Sequence, residues 1–481
     1  MVKSDKSNEI KALKKALKQE QRKKQDTRRE VQRCQAPKQD IEMREQKKSE
    51  RIASILSLRE RETADRIAVP RHRHDEITIR FAVLLYAYVG VSSRQVPKIL
   101  QLAGMLWNGI DGKLPSHVSV LDWVEKCGLS ILQGSLKDKT AEQANYSLII
   151  DNSITVCGQD LHLELLASSE HPGHAITHAD VSVAQMQVGR KWNKKATKAQ
   201  LGKTIAEMEL KPDYVVSDNG DTMCYACEDL GIDNHRDISH SFGMFLERVY
   251  AKDTEFQEFI TKKGYARKFS HTTMAPLMPP KRREYARFMN VFETVRWAKG
   301  VLQNEHLLSC HEKWMLGFVR HHASLVEELA EVMQAYEYME RLCKQKGLSH
   351  ETASECRRHI HAHLMARGDR VRKLADMLIG YFNREESLLK DGETHNICSD
   401  IIESAFGYLK ERMSPNKNNG YTSLTLLLPL HLEVSVMNAC RTFHVRELME
   451  KSTLTDVKNW RSDKLLPNPS IKRMKVVKNV A

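Results

Sequence analysis

Between residues 145 and 250 the order of the elements leaves few folds open. Three alternating, β-branched runs, YSLIIDNSITV, LHLELLASS and AITHADVSVAQMQV, follow one another with no helical stretch between them, as consecutive strands do. An amphipathic helix, TKAQLGKTIAEMEL, comes next. The strand DYVVSD, the helix TMCYACEDL, the short strand NHRDIS and the start of another helix, HSFGMFLERVY, complete the run. Three strands followed by alternating helices and strands predict a mixed, five-stranded α/β sheet.

Two carboxylates mark strand ends in this pattern. Asp151 closes LIID and Asp218 closes YVVSD, where the turn Asp218-Asn219-Gly220-Asp221 begins. In a sheet ordered 3-2-1-4-5 the first and fourth strands are neighbours, so the two acids would sit side by side. Anions that close repel in a poorly solvated cleft unless cations lie between them. Mg²⁺ or Mn²⁺, hard ions bound by a few carboxylates together with water and phosphate oxygens, suit that role.

A third ligand is expected from a helix near those ends, and Glu403 in SDIIESAFGYLKERM (399–413) fits. Lys410 lies seven residues on, on the same helical face, where it could grip a phosphate. Asp400 shares the face three residues earlier. An acid in a first helical turn complements the helix dipole without further purpose, so Glu403 ranks above it.

Strand-end Asp151, strand-end Asp218 and helical Glu403 with Lys410 behind it resemble the catalytic signature of DDE transposases of the RNase H-like superfamily. The resemblance spans roughly residues 77–445. The long gap between Asp218 and Glu403 is similar to that of insertion-sequence-type members with an all-helical insertion before the catalytic Glu. The resemblance implies two divalent ions, Mg²⁺ or Mn²⁺, held by all three acids with Asp151 bridging. It also implies hydrolysis at transposon ends followed by strand transfer into target DNA. A dimer or larger assembly on DNA, in the cytoplasm and nucleoid of a bacterial host, goes with it. Two alternatives stay open: a transposase-derived DNA-binding protein without catalysis, and a structure-selective metal-dependent nuclease on the same fold.

The rest of the 481 residues divides by composition. Residues 1–66 are rich in helix formers and charges and suggest a coiled-coil hairpin or dimer, with a frayed solvated arm as an equal reading. Residues 77–128 read as three short helices. Phe81, Leu84, Leu85 and Tyr88 mark the face of the first, which Gly90 ends. Ser92 to Gln95 form a capping box that opens the second. In the third, Val118, Leu121, Trp123 and Val124 face inward. The arrangement resembles a helix-turn-helix that offers His117, Ser119, Asp122 and Lys126 to DNA.

Residues 251–395 read as all-helical, 396–445 as the return to the sheet with the helix of Glu403, and 446–481 as a basic C-terminal tail whose last stretch, LPNPSIKRMKVVKNVA, reads as disordered. A formal charge of +13 favours a polyanionic partner. The ten cysteines have no framework spacing, and the Met-Val-Lys-Ser-Asp start has no apolar signal region; both point to a reducing, intracellular setting. The most apolar stretch, residues 423–439, contains Pro429, His431 and Glu433 and reads as a core element, so no membrane is expected.

Weaker candidates remain. His240 could stand near the scissile phosphate, or be incidental to a helix capped by Ser239. Trp297 could stack on an unpaired base or simply pack in the core. The clusters at 279–287 and 296–300 read equally as phosphate contacts or as solvated basic faces. Cys224 and Cys227 with His235 have zinc-like spacing, but one such pair is weak and packing is favoured. The histidines of 359–363 spread around a helix axis.

Overall fold

The computed structural model describes residues 19–24, 68–107, 113–142, 145–152, 155–269, 277–281, 291–413, 418–435 and 443–480. The chain forms two units, Met1–Thr78 and Ile79–Ala481. Of the first, residues 19–24 are an exposed helical turn and 68–78 lead into α1. The remainder of the coiled-coil expectation, and the cluster at 282–287, lie outside the described residues.

The helix α1 (Glu76–Leu84), which belongs to the second unit from Ile79 onwards, passes into a π-helical turn, Leu85–Val89, which Gly90 ends in the left-handed conformation (φ +86°). The buried face is Ile79, Ala82, Val83, Leu85, Tyr86 and Ala87, so of the expected apolar face Leu85 is buried while Phe81 and Tyr88 are exposed. Past Leu84 the π turn breaks the 3.6-residue period on which the expectation for Tyr88 rested. Half of the capping box before α2 (Val96–Trp107) is present, since the Ser92 N–H donates to Gln95 Oε1 at 3.3 Å.

The third helix, α3 (His117–Glu142), extends well past residue 128, and Cys127, Leu129 and Leu132 are built into the core. Val118 is 52% exposed instead of buried.

The sheet has the order β3-β2-β1-β4-β5. Its strands are β1 (Tyr146–Asn152), β2 (Asp160–Ser168), β3 (Val181–Gly189), β4 (Tyr214–Ser217) and β5 (Asp233–Arg236). β2 is antiparallel to β1 and β3, whereas β1–β4 and β4–β5 are parallel. The parallel pairs are joined through α4 (Lys194–Met208) and α5 (Asp221–Asp229), as crossovers require.

Strand alternation sends Leu148, Ile150 and Val215 to one face, under Leu201, Met208, Met223 and Cys227 of α4 and α5. Ile149, Tyr214 and Val216 go to the other face.

After β5 the chain becomes helical. α6 (Ile238–Tyr250), α7 (Thr254–Phe269), α8 (Val291–Gln303), α9 (Cys310–His321), α10 (Ala323–Lys346), α11 (His350–His363) and α12 (Asp369–Glu386) enclose one apolar core. His322 separates α9 from α10.

The chain then returns to the sheet with α13 (Asp400–Arg412) and α14 (Leu427–Val434). Ile402, Ala405, Phe406 and Leu409 of α13 cover the Ile149/Val216 face. The C-terminal stretch is not a disordered tail. It forms α15 (Val445–Lys451), α16 (Leu454–Lys464) and α17 (Pro469–Val480), with Val445, Met449 and Val457 buried. Val445, Met449 and Val457 anchor α15 and α16, a division of apolar and basic faces that net composition hides, whereas Ile471, Met474 and Val476 of α17 are exposed.

Candidate active site

The register pairs Ile150 with Ser217, so one step further Asp151 and Asp218 stand opposite each other at the C-terminal ends of parallel neighbours. Side-chain parity adds a second constraint. Asp151 continues the Ile149 series and Asp218 the Tyr214–Val216 series, both on the face that α13 covers. Glu403 lies in the first turn of that helix. Sheet order, register and parity therefore direct all three acids towards one end of one sheet face.

Local bonds fix the carboxylates. Asp151 Oδ1 accepts from the Asn152 N–H at 2.7 Å. Asp218 Oδ1 accepts from the Gly220 N–H at 2.9 Å, an Asx turn that closes the strand. Glu403 Oε1 is 2.8 Å from His240 Nε2. His240 is buried and its Nδ1 has no hydrogen-bond partner among the described residues, whereas the Glu403 side chain is 55% exposed. With a carboxylate as acceptor, Nε2 must carry the proton. Asp218, Asn219, Gly220, His240 and Glu247 line one cleft of about 240 Å³.

One buried residue holds this arrangement together, and it was absent from the expectations. Asp237, between β5 and α6, caps α6 by accepting the His240 N–H on Oδ1 at 2.7 Å. Its Oδ2 accepts the Ser399 N–H at 2.7 Å and the Ser399 hydroxyl at 2.9 Å, at the foot of α13. The cap of α6 is thus Asp237 and not Ser239, whose hydroxyl donates to Glu340 at 3.1 Å. The signal was available, as an Asp three residues before His240 is a helix-start signature.

Around this centre a return crossing is pinned by a buried polar chain. His235 Nδ1 meets Glu385 Oε2 at 2.8 Å and His235 Nε2 meets His395 Nδ1 at 2.9 Å. The His395 ring stacks on Tyr214 with centroids 4.1 Å apart, and the Tyr214 hydroxyl accepts the Asn396 N–H at 2.9 Å. Burial, then the neighbouring His235, push the His395 imidazole down to about 4.

The remaining candidates separate clearly. Lys126 is buried and donates to the Met449 carbonyl at 2.9 Å, which removes it from any DNA-facing role. The helix period alone could not show that α15 lies over it. Ser119 takes part in the start of α3, its N–H donating to Ser116 Oγ at 3.1 Å. Asp122 is half-buried, and burial raises its carboxyl. His117 is exposed.

Trp297 is half-buried, donates to the Leu277 carbonyl at 3.0 Å and packs on the helical core, so it is not presented to a base. Lys410 is half-buried with Nζ 5.7 Å from the Phe406 ring centroid. Asp400 pairs with Lys344. Cys224 and Cys227 are free thiols on α5, and His235 is committed to Glu385 and His395.

Three hard oxygen donors suit Mg²⁺ or Mn²⁺. The conformation described does not by itself close a cage, since among the described residues no group of three or more His, Cys, Asp and Glu is placed to hold a metal ion. Glu403 instead faces His240. Among the same residues no helix is long and apolar enough to cross a membrane. Neither known family models nor curated proteins match this sequence.

Proposed function

We propose that this chain is a DDE-type DNA transposase on an RNase H-like core, hydrolysing DNA at element ends and transferring the freed strands into target DNA. The observation that carries the reading is the convergence of Asp151, Asp218 and the helix of Glu403 on one end of one sheet face. Asp151, Asp218 and Glu403 would hold Mg²⁺ or Mn²⁺, which supply charge neutralisation and activation of an attacking hydroxyl in phosphoryl transfer.

His240 holds Glu403 through its Nε2 proton and fixes where that carboxylate stands when no ion is near. Because Glu403 is solvent-facing and His240 is buried, the carboxylate is the partner that moves. Lys410, on the same helix, would meet a phosphate oxygen. The helices α1 to α3 would contact DNA in the manner of a helix-turn-helix, through the exposed first turn at His117. The charge of +13 supports a polyanionic partner, and paired-end chemistry implies at least two chains on DNA.

A second reading, a structure-selective nuclease on the same scaffold, is favoured by one observation. Much of α3, Lys126 included, is committed to the core and does not face outwards.

A Mg²⁺-dependent cleavage and joining assay on candidate element ends tests the proposal, with wild type compared to Glu403→Gln. Wild type is expected to cut and join, and Glu403→Gln to bind the same DNA and do neither. Cutting without joining selects the nuclease reading. Undiminished cutting by Glu403→Gln rules out both.

A further inference from the structure

A second cleft, of about 270 Å³, adjoins the acidic one and shares Asn219 and Met244 with it. Three arginines from three elements line it: Arg236 at the end of β5, Arg248 on α6 and Arg384 on α12. Its lining includes no acidic residue. Three guanidiniums around one small cleft repel each other unless an anion enters.

Glu385, which is fully buried, is already engaged by His235, the Arg236 N–H and Arg384. Arg384 is also held by the Asn234 carbonyl at 2.9 Å, which fixes its orientation. Arg236 Nε is buried without a hydrogen-bond partner among the described residues. An unmatched buried donor of this kind is costly, and a ligand oxygen would remove that cost. Arg248 is exposed, and its Nη2 donates to the weak acceptor Met244 Sδ at 3.5 Å.

We propose that this cleft is a phosphate site, and that it takes the backbone phosphate next to the one presented to Asp218 and Glu403 on the same polynucleotide strand. Asn219 and Met244 line both clefts, so the two are immediate neighbours, as adjacent phosphates of one strand require. Guanidinium forks match phosphate oxygens two at a time and keep their charge in a half-buried setting, which suits arginine better than lysine here. The assignment to a polynucleotide rests on the function proposed above, whereas the assignment to phosphate rests on the cleft alone.

The test measures binding of the full-length chain to a short fluorescent DNA duplex in EDTA, across a range of KCl, so that no metal and no turnover enter. Arg248→Gln and Arg384→Gln should each weaken binding and lower the slope of log K against log salt by ~0.9, the value for one lost phosphate contact. Arg384→Lys should retain the slope. Melting temperatures identify any variant that fails to fold, and exposed Arg248 supplies a variant whose loss leaves the core intact.

Unchanged affinity and slope in folded Arg248→Gln and Arg384→Gln would overturn the proposal, even if Glu403→Gln abolishes cleavage. A reduced slope in a chain that never cuts DNA supports the phosphate site while removing the transposase reading. Inorganic phosphate forms the last arm. If it raises the wild-type melting temperature, fails to do so in Arg248→Gln, and the duplex does not bind, the site takes free phosphate and the strand assignment is wrong.

Discussion

Asp218 shows how much a single side chain is asked to do. Its Oδ1 closes the turn at Gly220, so the same carboxylate that would face an ion also shapes the end of β4. A Cβ added at Gly220 would stand 2.7 Å from that oxygen. Gly220→Ala should therefore displace the carboxylate while leaving the chain folded. The expected result is a loss of cleavage of roughly 100-fold, as small misplacements in active sites produce, with a melting temperature close to wild type. Retained activity would mean that the position of Asp218 is not critical.

The strand-end and helix-start positions of Asp151, Asp218 and Glu403 could be read from sequence because periodicity reveals those boundaries. Lys126 and Trp297 could not be resolved, since their surroundings come from residues hundreds and tens of positions away, Met449 and Leu277. Arg236, Arg248 and Arg384 were missed for the same reason.

At the scale of elements, the coupling of α6 to α13 through Asp237 is what sets His240 opposite Glu403. Removing a helix cap costs about 1 kcal/mol, and hydrogen bonds to a charged group about 1.5–3 kcal/mol. Asp237→Ala strips both helix starts and should lower unfolding stability by about 2–4 kcal/mol. A shift in the urea midpoint measures this, and a shift under about 0.5 kcal/mol, the range of ordinary surface changes, would contradict the double role.

Most helices were legible from their apolar spacing. Two departures have local causes: a π turn follows α1 and shifts Tyr88, and α3 continues because α14 and α15 pack along it. Gly128 on α3 lets the turn at Leu426 approach so closely that a Cβ there would collide with its carbonyl. Gly128→Ala should thus destabilise the chain by about 1–3 kcal/mol, the usual cost of overpacking, read in the same urea experiment.

For the molecule as a whole, the sheet order follows from three adjacent strands succeeded by crossovers, and this was readable from pattern alone. How the helical region between β5 and α13 rejoins the sheet was not, because the buried His235–Glu385–His395 chain depends on three distant segments. That chain makes stability depend on pH. His395 is held at about 4 by burial and by His235, with Glu393 opposing and Lys390 assisting, while Tyr214 stacks on its ring. His431, stacked on Tyr408, is likewise held at about 4 by burial, His178 and Arg412.

Unfolded imidazoles titrate near 6.5. Between about 6.5 and 4 the unfolded chain therefore binds protons that the native chain refuses. Stability from these groups is complete above about 6.5 and declines as pH falls towards 4, by at most about 1.4 kcal/mol per pH unit for each imidazole. Melting temperature should fall over that window, and His395→Asn should flatten the decline. An identical acid slope in His395→Asn would contradict the account.

The central claim is that three acids from β1, β4 and α13 form one binding place for divalent ions, and calorimetric titration of the full-length chain with Mn²⁺ measures it most directly. Wild type should bind, Asp218→Asn should lose that binding while keeping its melting temperature, and Glu403→Gln should weaken it. Equal Mn²⁺ binding by wild type and Asp218→Asn, or none by wild type, would contradict the account.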